Sequence, residues 1–426
     1  MARKMKDSGI EWIGEIPEEW SKNKVIRLFD IIGSGTTPKN ITSDFPVVNW
    51  IQSGDITGSF MPTCKNVISA NLLSQYSALK VYPAPFIIIA MYGASVGNAS
   101  ISLIDGCVNQ ACCVLSSPSC NLHYAFYVIK SAQSYLVRKA VGGGQPNISQ
   151  ETIKQLWLPL PPLSTQDIIV RNLDVTCSKI DDLLSSVHAS IEEYKKLKQA
   201  VITLAVTKGV RGEREMKDSG VEWIGEIPKE WVCEKIKYAT SISRGLFNHR
   251  PRNDERYYNG KYPFIQTGDV ANATKYIVSY SQTLNELGKS VSKEFPKGTL
   301  TMTIAANVGD VAILNFDAYF PDSIVGFIPN KNIRTLYLFY VFSAMKDEFT
   351  RTAIKSTQLN LNIDRVKETF IPVTLDSNEQ CEIENYLESK CAEIDGLIAK
   401  KEQLVKELES YKKSLIYEVV TGKREV

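Results

Sequence analysis

The chain has 426 residues, which is too long for one hydrophobic core and predicts two to four domains. Hydrophobic residues make up 44% and charged residues 23%, the composition of an ordinary soluble protein rather than a membrane-embedded or disordered one. A formal net charge of +2 neither supports nor excludes DNA binding, and partners would have to neutralise part of any bound phosphate. No signal peptide or membrane span is recognisable, so we expect a cytoplasmic location.

One segment occurs twice, as MKDSGIEWIGEIPEEW at 5–20 and MKDSGVEWIGEIPKEW at 216–231, differing only at Ile10/Val221 and Glu18/Lys229. Further matches keep the same order along the chain: IQSGDI at 51–56 with IQTGDV at 265–270, and ASVGNASISL at 94–103 with ANVGDVAILN at 306–315. The chain is therefore predicted to be one structural unit written twice. The tryptophans of the repeated segment are expected to pack where a domain meets a helix end rather than to contact a ligand.

In chain order, residues 1–163 predict a first domain of short strands broken by Gly, Pro and Asn turns. Within it, FIIIAMYG and ASISLI predict buried strands, and residues 122–141 predict a helix with an aromatic stripe. A first long helix is predicted over 164–209. A second domain over 210–376, with a matching helix at 334–354, and a second long helix over 377–426 follow. The fold class is α+β, with two mixed domains and two long helices.

The two long helices carry matched heptad patterns that end at Gly209 and Gly422. An apolar stripe about 65 Å long at about 1.5 Å per residue needs a partner, and the matched stripe in the same chain favours an intramolecular coiled coil over an intermolecular one. The pattern itself leaves parallel and antiparallel pairing open. The residues predicted to pack between the helices are Ile180, Leu183, Val187, Tyr194, Leu197, Val201, Ile394, Leu397, Leu404, Leu408, Tyr411 and Leu415.

Catalytic motifs are missing from the sequence. Gly288-Lys289-Ser290 lacks the upstream glycine of a phosphate loop, because Thr283 occupies that position. Asp322 has no acid-x-Lys partner of a nuclease, and three scattered histidines make no hydrolase site. Nine cysteines without a CxxC pair predict no metal site. The chain is therefore predicted not to be an enzyme and to hold no cofactor.

Loops rich in hydrogen-bond donors and acceptors remain as candidate binding sites. Glycine allows close backbone approach to a ligand, and Gln, Asn, Arg and Lys are side chains that read base edges. The simpler alternative is that each of these residues only stabilises the turn in which it lies and contacts no ligand. The candidate DNA-binding residues are Gly35, Thr36, Thr37, Lys39, Gln52, Tyr92, Ser95, Gly143, Gln145 and Asn147 in the first domain, and Arg244, Asn248, Arg250, Arg252, Gln266, Asn307, Thr357, Gln358 and Asn360 in the second.

The doubled segment, the GTTP loop at 35–38, the QPNI and QLNL segments and the long helix ending in TKG resemble the specificity (S) subunit of type I restriction-modification systems. The resemblance covers nearly the whole chain. It implies two target recognition domains joined by an antiparallel coiled coil, with pseudo-twofold symmetry. It also implies double-stranded DNA as ligand, each domain reading one half of a split site, and a spacer set by the helices.

The same resemblance implies two methylation subunits as partners, carrying S-adenosylmethionine, and restriction subunits that use ATP and Mg. The second domain departs from the pattern at GLFNHRP (245–251), which replaces the GTTP loop. Two other interpretations remain open. One is a pseudo-dimeric scaffold that binds protein or glycan without nucleic acid, and the other is a specificity module that serves a fused restriction-methylation enzyme.

Overall fold

The computed structural model describes residues 3–426 except 40, 42, 143–145, 251, 306, 353 and 356–358, and omits the side chains of 352, 354, 355, 359 and 360. The chain divides into two compact units. Unit 1 comprises Met1–Val187 and Gln403–Val426, and unit 2 comprises His188–Glu402. Each unit therefore contains one globular domain and one half of each long helix.

Unit 1 is built on a five-stranded sheet. Its strands lie in the order Ile31–Gly33, Cys112–Ser116, Phe86–Ala90, Ala99–Ser102 and Phe60–Met61. The predicted strands FIIIA and ASIS pair antiparallel, with Ile88 opposite Ser100, and both are fully buried. Burial on both faces explains why these strands are uniformly apolar or small rather than alternating.

Smaller elements complete unit 1. A three-stranded sheet has the order Cys107–Val108, Val47–Ile51 and Val67–Ser69. Two antiparallel strand pairs join Met5–Ile10 with Gly14–Pro17, as a hairpin, and Ser21–Lys24 with Trp157–Leu160, from opposite ends of the domain. The short helices are Val25–Leu28, Leu72–Gln75, Leu122–Ser131, Gln133–Arg138 and Gln150–Lys154.

Unit 2 has a five-stranded sheet of the same design. Its strands lie in the order Thr240–Arg244, Ile324–Pro329, Leu300–Thr303, Val311–Leu314 and Tyr276–Ile277. In both sheets the last strand is parallel to its neighbour and the others are antiparallel. Two domains that share this order confirm that the sequence repeat is a repeat of the fold.

The remaining elements of unit 2 differ more from those of unit 1. A four-stranded sheet has the order Gln282–Leu284, Tyr258–Phe264, Ala318–Tyr319 and Glu294–Phe295. Strand pairs join Met216–Asp218 with Glu226–Pro228, Val232–Lys235 with Phe370–Val373, and Ile354–Lys355 with Leu359–Asn360. The short helices are Ile236–Ala239, Thr267–Ala271, Glu286–Ser290, Thr335–Ala344, Lys346–Thr352 and Ile363–Glu368.

Each predicted aromatic helix is two helices rather than one. The first breaks at Ala132, whose N–H reaches the carbonyls of both Val128 and Ile129, and the second breaks at Met345. The aromatic stripe packs into the core. Tyr124 and Tyr337 are fully buried, and their hydroxyls donate to the carbonyls of Pro159 at 3.0 Å and Pro372 at 3.2 Å. These bonds satisfy the one polar atom of each ring.

The repeated segment packs against helix ends, as the sequence predicts. Trp20 is buried with Val419 and Val420 in unit 1, and Trp231 is buried with Ala205 and Val206 in unit 2. Each helix ends at a glycine in the left-handed region, Gly209 with φ +73° and Gly422 with φ +72°. The predicted helix stops are therefore correct, because a side chain at either position would be strained.

The long helices span Leu163–Lys208 and Ser377–Val420, with 46 and 44 residues. Their halves pair within each unit. In unit 2, Tyr194 lies under Lys401, Lys198 pairs with Asp395 and Arg211 pairs with Glu382. As the residue number rises along the first helix, the number of the contacted residue on the second helix falls. The paired segments of unit 2 therefore run antiparallel.

The face that each helix buries differs in phase from the predicted heptads. Leu183, Leu197, Leu404 and Tyr411 are 54%, 48%, 41% and 47% exposed, so the prediction that they pack between the helices is wrong. Ile191, Ile202 and Val405, which the prediction omitted, are buried instead, and Leu184 is half-buried. Apolar pairs such as Leu183-Leu184 fit two phases, and a 3.6-residue period drifts from a strict heptad over this length.

Ile180, Ile394 and Leu415 are buried, and Val187, Tyr194, Val201, Leu397 and Leu408 are half-buried. Leu173, Cys177 and Ile180 share one core cluster with Leu415, Ile416 and Val419 in unit 1. Ile202, Ala205 and Val206 share another with Ile383, Leu387 and Cys391 in unit 2. Both helices therefore belong to both hydrophobic cores.

Candidate nucleic-acid interface

In the first domain the GTTP loop is held against the sheet. A Cβ on Gly35 would lie 1.6 Å from the carbonyl oxygen of Val108, so only glycine fits at this approach. The loop then turns outward, and Thr37 and Lys39 are exposed. Thr37 Oγ1 donates to Gln110 Oε1 at 2.6 Å, which joins the loop to residues between two strands. Thr36 lies half-buried between these points.

Backbone hydrogen bonds bring three other candidate loops to the same place. Asn109 N donates to Ile51 O at 3.2 Å, and Met91 N donates to Ala111 O at 2.7 Å. Gly93 N donates to Pro146 O at 3.0 Å, and a bridge joins Tyr92 to Asn147. The structure therefore gathers Thr37, Gln52, Tyr92, Ser95 and Asn147 around residues 109–111. Tyr92 and Asn147 are exposed there, as a contact residue must be.

The repeated IQ[ST]GD motif has a structural role in both domains. Gln52 N donates to Asp55 Oδ2 at 2.9 Å, and Gln266 N donates to Asp269 Oδ2 at 2.8 Å. In each case the N–H of the aspartate donates in turn to the main-chain oxygen of the glutamine, at 2.9 Å from Asp55 and 3.0 Å from Asp269. Gln266 Nε2 also donates to Gln282 Oε1 at 2.7 Å. These contacts fix both glutamines at the edge of the candidate site.

In the second domain three arginines converge on Asp322. Arg244 Nε donates to its main-chain oxygen at 2.6 Å, Arg250 Nη2 lies 3.7 Å from its carboxylate, and Arg252 pairs with the same carboxylate. The predicted basic cluster is thus one continuous surface. Arg250 Nη1 also donates to the carbonyl of Phe247 at 2.7 Å. The guanidinium groups stay partly exposed, so the site can present them to an anion or a base edge.

Aromatic packing underlies this arginine surface. Phe247 is buried and stacks on Tyr258, with ring centroids 5.7 Å apart. Gly245 is required before it, since a Cβ there would lie 2.2 Å from the carbonyl oxygen of Pro321. Asp254 lies near this surface and is engaged by Arg256 and His249, and Arg256 is the main reason that its pKa lies below the usual range. It therefore does not compete for the three arginines.

The remaining candidates of the second domain are placed as follows. Asn248 and Asn307 are exposed. Ile304 N donates to Ser323 O at 2.9 Å and Leu361 N donates to Ile304 O at 2.8 Å, so the backbone beside Asn360 approaches the loop that carries Asp322. Gly143, Gln145, Thr357 and Gln358 lie outside the described residues, as does the side chain of Asn360.

Gln110 and Asp322 belong to these clusters, although neither is among the candidate DNA-binding residues named from the sequence. They stand 212 positions apart, the offset that aligns ASVGN with ANVGD, and each occupies the centre of its cluster. The same offset aligns NQA at 109–111 with PDS at 321–323, but the two segments share no residue, so the sequence carries no signal that singles out these positions. The two domains thus share a position and differ in its chemistry, which is uncharged at Gln110 and ionic at Asp322.

Other features of the molecule bear on chemistry. Across the described part of the chain, no cluster of three or more His, Cys, Asp or Glu side chains is arranged to hold a metal ion. Burial raises the pKa of Cys107 to about 11 and that of Cys113 to about 12, so both thiols are protonated at neutral pH. Within the described residues, no helix is both long and apolar enough to cross a membrane.

Two similar domains, each with a loop cluster rich in hydrogen-bond donors, are the arrangement of a two-domain binding protein. The family described as "Type I restriction modification DNA specificity domain" matches residues 17–193 and 242–407. The chain belongs to this family, and it is a specificity subunit of a type I restriction-modification system. Such subunits recognise DNA and are non-catalytic.

Individual relatives agree with this assignment. The chain is 25% identical to the MjaX specificity subunit of Methanocaldococcus jannaschii over 444 residues, covering 96% of this chain and 95% of that one. It is also 25% identical to the MjaVIII specificity subunit of the same organism, over 70% of this chain and 69% of the other.

A solved structure gives the same fold. One chain from "Structural basis underlying complex assembly and conformational transition of the type I R-M system" superimposes with a TM-score of 0.73 at 15% identity. The match covers 95% of this chain and 98% of the other.

Proposed function

We propose that each globular domain, 1–163 and 210–376, reads one half of a bipartite, asymmetric DNA site. The observation that carries this proposal is the pair of clusters at equivalent positions of the repeat. One is built on Thr37 and Gln110, and the other on Arg244, Arg250 and Arg252 around Asp322. Two domains that share a fold but present different side chains suit two half-sites of different sequence. Amides and hydroxyls pair with several base edges, whereas arginine favours guanine.

The long helices, 164–209 and 377–426, set the spacing between the half-sites in this proposal and dock two methylation subunits. Their pairing by buried residues and by ion pairs within each unit supports a stiff connection. The methylation subunits would bring S-adenosylmethionine, and restriction subunits would bring ATP and Mg. The weak electrostatic attraction of this nearly neutral chain for double-stranded DNA is then sufficient for binding, because the partner subunits neutralise part of the phosphate charge.

The methylome of a host that carries this system tests the proposal. Single-molecule sequencing should show one split motif with two dissimilar halves, lost when this chain is deleted. A continuous motif would contradict the bipartite reading. If no methylated motif depends on this chain, and the purified chain binds a protein or a glycan instead, the pseudo-dimeric scaffold would be favoured. A gel-shift series with the purified chain, with and without its methylation subunit, separates DNA binding from assembly.

A further inference from the structure

A buried carboxylate in unit 2 has no counterpart in unit 1. Glu379 is 1% exposed and accepts from Arg214 Nη1 at 2.5 Å, Trp231 Nε1 at 2.9 Å and Thr374 Oγ1 at 2.9 Å. Beside it, Arg211 pairs with Asp376 at 3.0 Å and with Glu382 at 2.7 Å. Three acidic side chains thus pair with two arginines and accept from one indole N–H where the repeated segment meets the second long helix, although Arg214 Nε has no acceptor among the described residues.

Unit 1 keeps the donors of this arrangement. The repeat places Arg3 at the position of Arg214, Trp20 at that of Trp231 and Arg424 at that of Arg211. Arg3 lies over the Trp20 ring at 5.3 Å, as Arg214 lies over Trp231 at 5.4 Å. The arginine and tryptophan side chains are therefore arranged in the same way in both units, and the units differ only in the acidic side chains beside them.

Unit 1 keeps the Arg3–Glu19 pair, which corresponds to Arg214–Glu230 in unit 2, but it lacks the three acidic side chains at the start of the second long helix. The first turns of the long helices align without gaps, with Gln166 opposite Gln380 and Cys177 opposite Cys391, each 214 positions apart. On this alignment the acidic residues of unit 2 are replaced by Pro162, Thr165 and Ile168. Trp20 is 1% exposed, and its Nε1 has no acceptor among the described residues. Arg424 has one ion pair, to Glu418 at 3.8 Å. A buried donor without an acceptor is costly, which points to an acceptor that arrives from outside.

A cavity of about 350 Å³ occupies this place in unit 1. Arg3, Trp20, Thr165, Ile168 and Arg424 line it, together with Ile169, Val419, Glu425 and Val426. Glu425 is the one acidic side chain in the lining, and it is exposed and has no ion pair in the described part of the chain. The cavity is large enough for a carboxylate-bearing side chain, and its donors are those that hold Glu379 in unit 2.

The helix surface next to the cavity differs between the units in the same sense. Ile168 and Val175, which lie on one face of the first long helix, are 46% and 55% exposed. Their counterparts on the second helix are Glu382 and Ser389, which are also exposed but polar. An apolar stripe beside a cationic cavity, at one end of the repeat alone, is the pattern of a protein-binding surface.

We propose that this cavity and the apolar stripe bind one methylation subunit, through an Asp or Glu side chain flanked by apolar residues. That carboxylate takes the place that Glu379 holds in unit 2, and charge complementarity with Arg3 and Arg424 selects it. The inference rests on the proposed function, which supplies the methylation subunit as partner. It makes the two docking sites non-equivalent: one is completed by the partner, and the other is completed by the chain itself.

Two substitutions place a carboxylate of the chain itself in the cavity. Thr165→Glu introduces a carboxylate at the position equivalent to Glu379, and Ile168→Glu introduces one at the exposed position equivalent to Glu382. Ser389→Glu adds the same charge to the equivalent face of unit 2 and is the matched control. Each purified variant is titrated with the methylation subunit encoded beside it, and native mass spectrometry counts the bound copies. Thermal unfolding of the free variant checks that it is folded.

We expect the unaltered chain and Ser389→Glu to bind two methylation subunits. Thr165→Glu and Ile168→Glu should bind one with unchanged affinity and the other at least about tenfold more weakly, since removal of a charge-assisted bond has that size. Thr165→Glu should also raise the melting temperature of the free chain, because Trp20 Nε1 gains an acceptor. Ile168→Glu keeps the test valid if Thr165→Glu does not fold.

Two copies bound with unchanged affinity by both variants would overturn the inference and leave the proposed function intact. Failure of the unaltered chain to bind any methylation subunit would refute the proposed partnership and the inference together. Glu425→Gln gives a third outcome. A fall in melting temperature that Thr165→Glu reverses would show that Glu425 fills the cavity itself, and this too would overturn the inference.

Discussion

Lys198 Nζ donates to both carboxylate oxygens of Asp395 at 2.7 Å, and so ties the two long helices together within unit 2. Lys412 and Asp181 form the same pair in unit 1 at 2.6 Å. Both pairs join the C-terminal half of one helix to the N-terminal half of the other, at positions related by the repeat. They therefore fix the register of antiparallel pairing separately in each unit.

Charge reversal tests this register. Lys198→Asp should lower the free energy of unfolding by about 0.5 to 1 kcal/mol, because the pair is partly exposed and screened by water. Adding Asp395→Lys should restore most of the loss. Denaturant unfolding of the two single variants and the double variant gives the coupling energy. Additive losses in the double variant would show that the two side chains do not interact.

The phase of the buried helix face gives a second prediction. Ile191→Ala should cost about 2 to 4 kcal/mol, because Ile191 is buried and its removal leaves a cavity. Leu197→Ala is the matched control and should cost less than about 1 kcal/mol, because Leu197 is half exposed. The opposite ranking in denaturant unfolding would restore the heptad phase that the sequence predicted.

These helices show what sequence reasoning can and cannot give. Matched apolar periods and the glycines at 209 and 422 sufficed for the helices and their ends. The face that each helix buries could not be predicted from the sequence, since adjacent apolar residues such as Leu183 and Leu184 fit either of two faces. The shared sheet order followed from the repeat. The centres of the two clusters did not, because Gln110 and Asp322 acquire meaning only through Thr37 and the arginines that fold onto them.

The arginine cluster gives a third prediction. Arg252→Ala should weaken binding to the cognate site by about 1 to 3 kcal/mol and relax specificity only in the half-site of the second domain, if the guanidinium contacts a base. Arg256→Ala, whose exposed guanidinium pairs with Asp254 instead, is the control. Fluorescence anisotropy with site variants measures both effects. Equal weakening on every sequence with a shallower salt dependence would instead assign Arg252 to phosphate.

A half chain gives a fourth prediction. Residues 1–215 lack the segment of the second helix that completes unit 1, but the first helix carries a copy of it. Lys198 corresponds to Lys412, and Val201 and Ile202 correspond to Leu415 and Ile416. Two half chains can therefore offer each other the Asp181 partner and the apolar face. Light scattering should show a homodimer, and its methylated site should be an interrupted palindrome. A folded monomer would contradict this exchange.

Exchange of one domain tests the central claim that each domain reads its own half-site. Residues 21–157 are replaced by the corresponding segment of a specificity subunit with a known target, and the host methylome is sequenced. The first half of the motif should change to that of the donor domain, while the second half and the spacer stay the same. A motif in which both halves change, or in which neither does, would contradict the account.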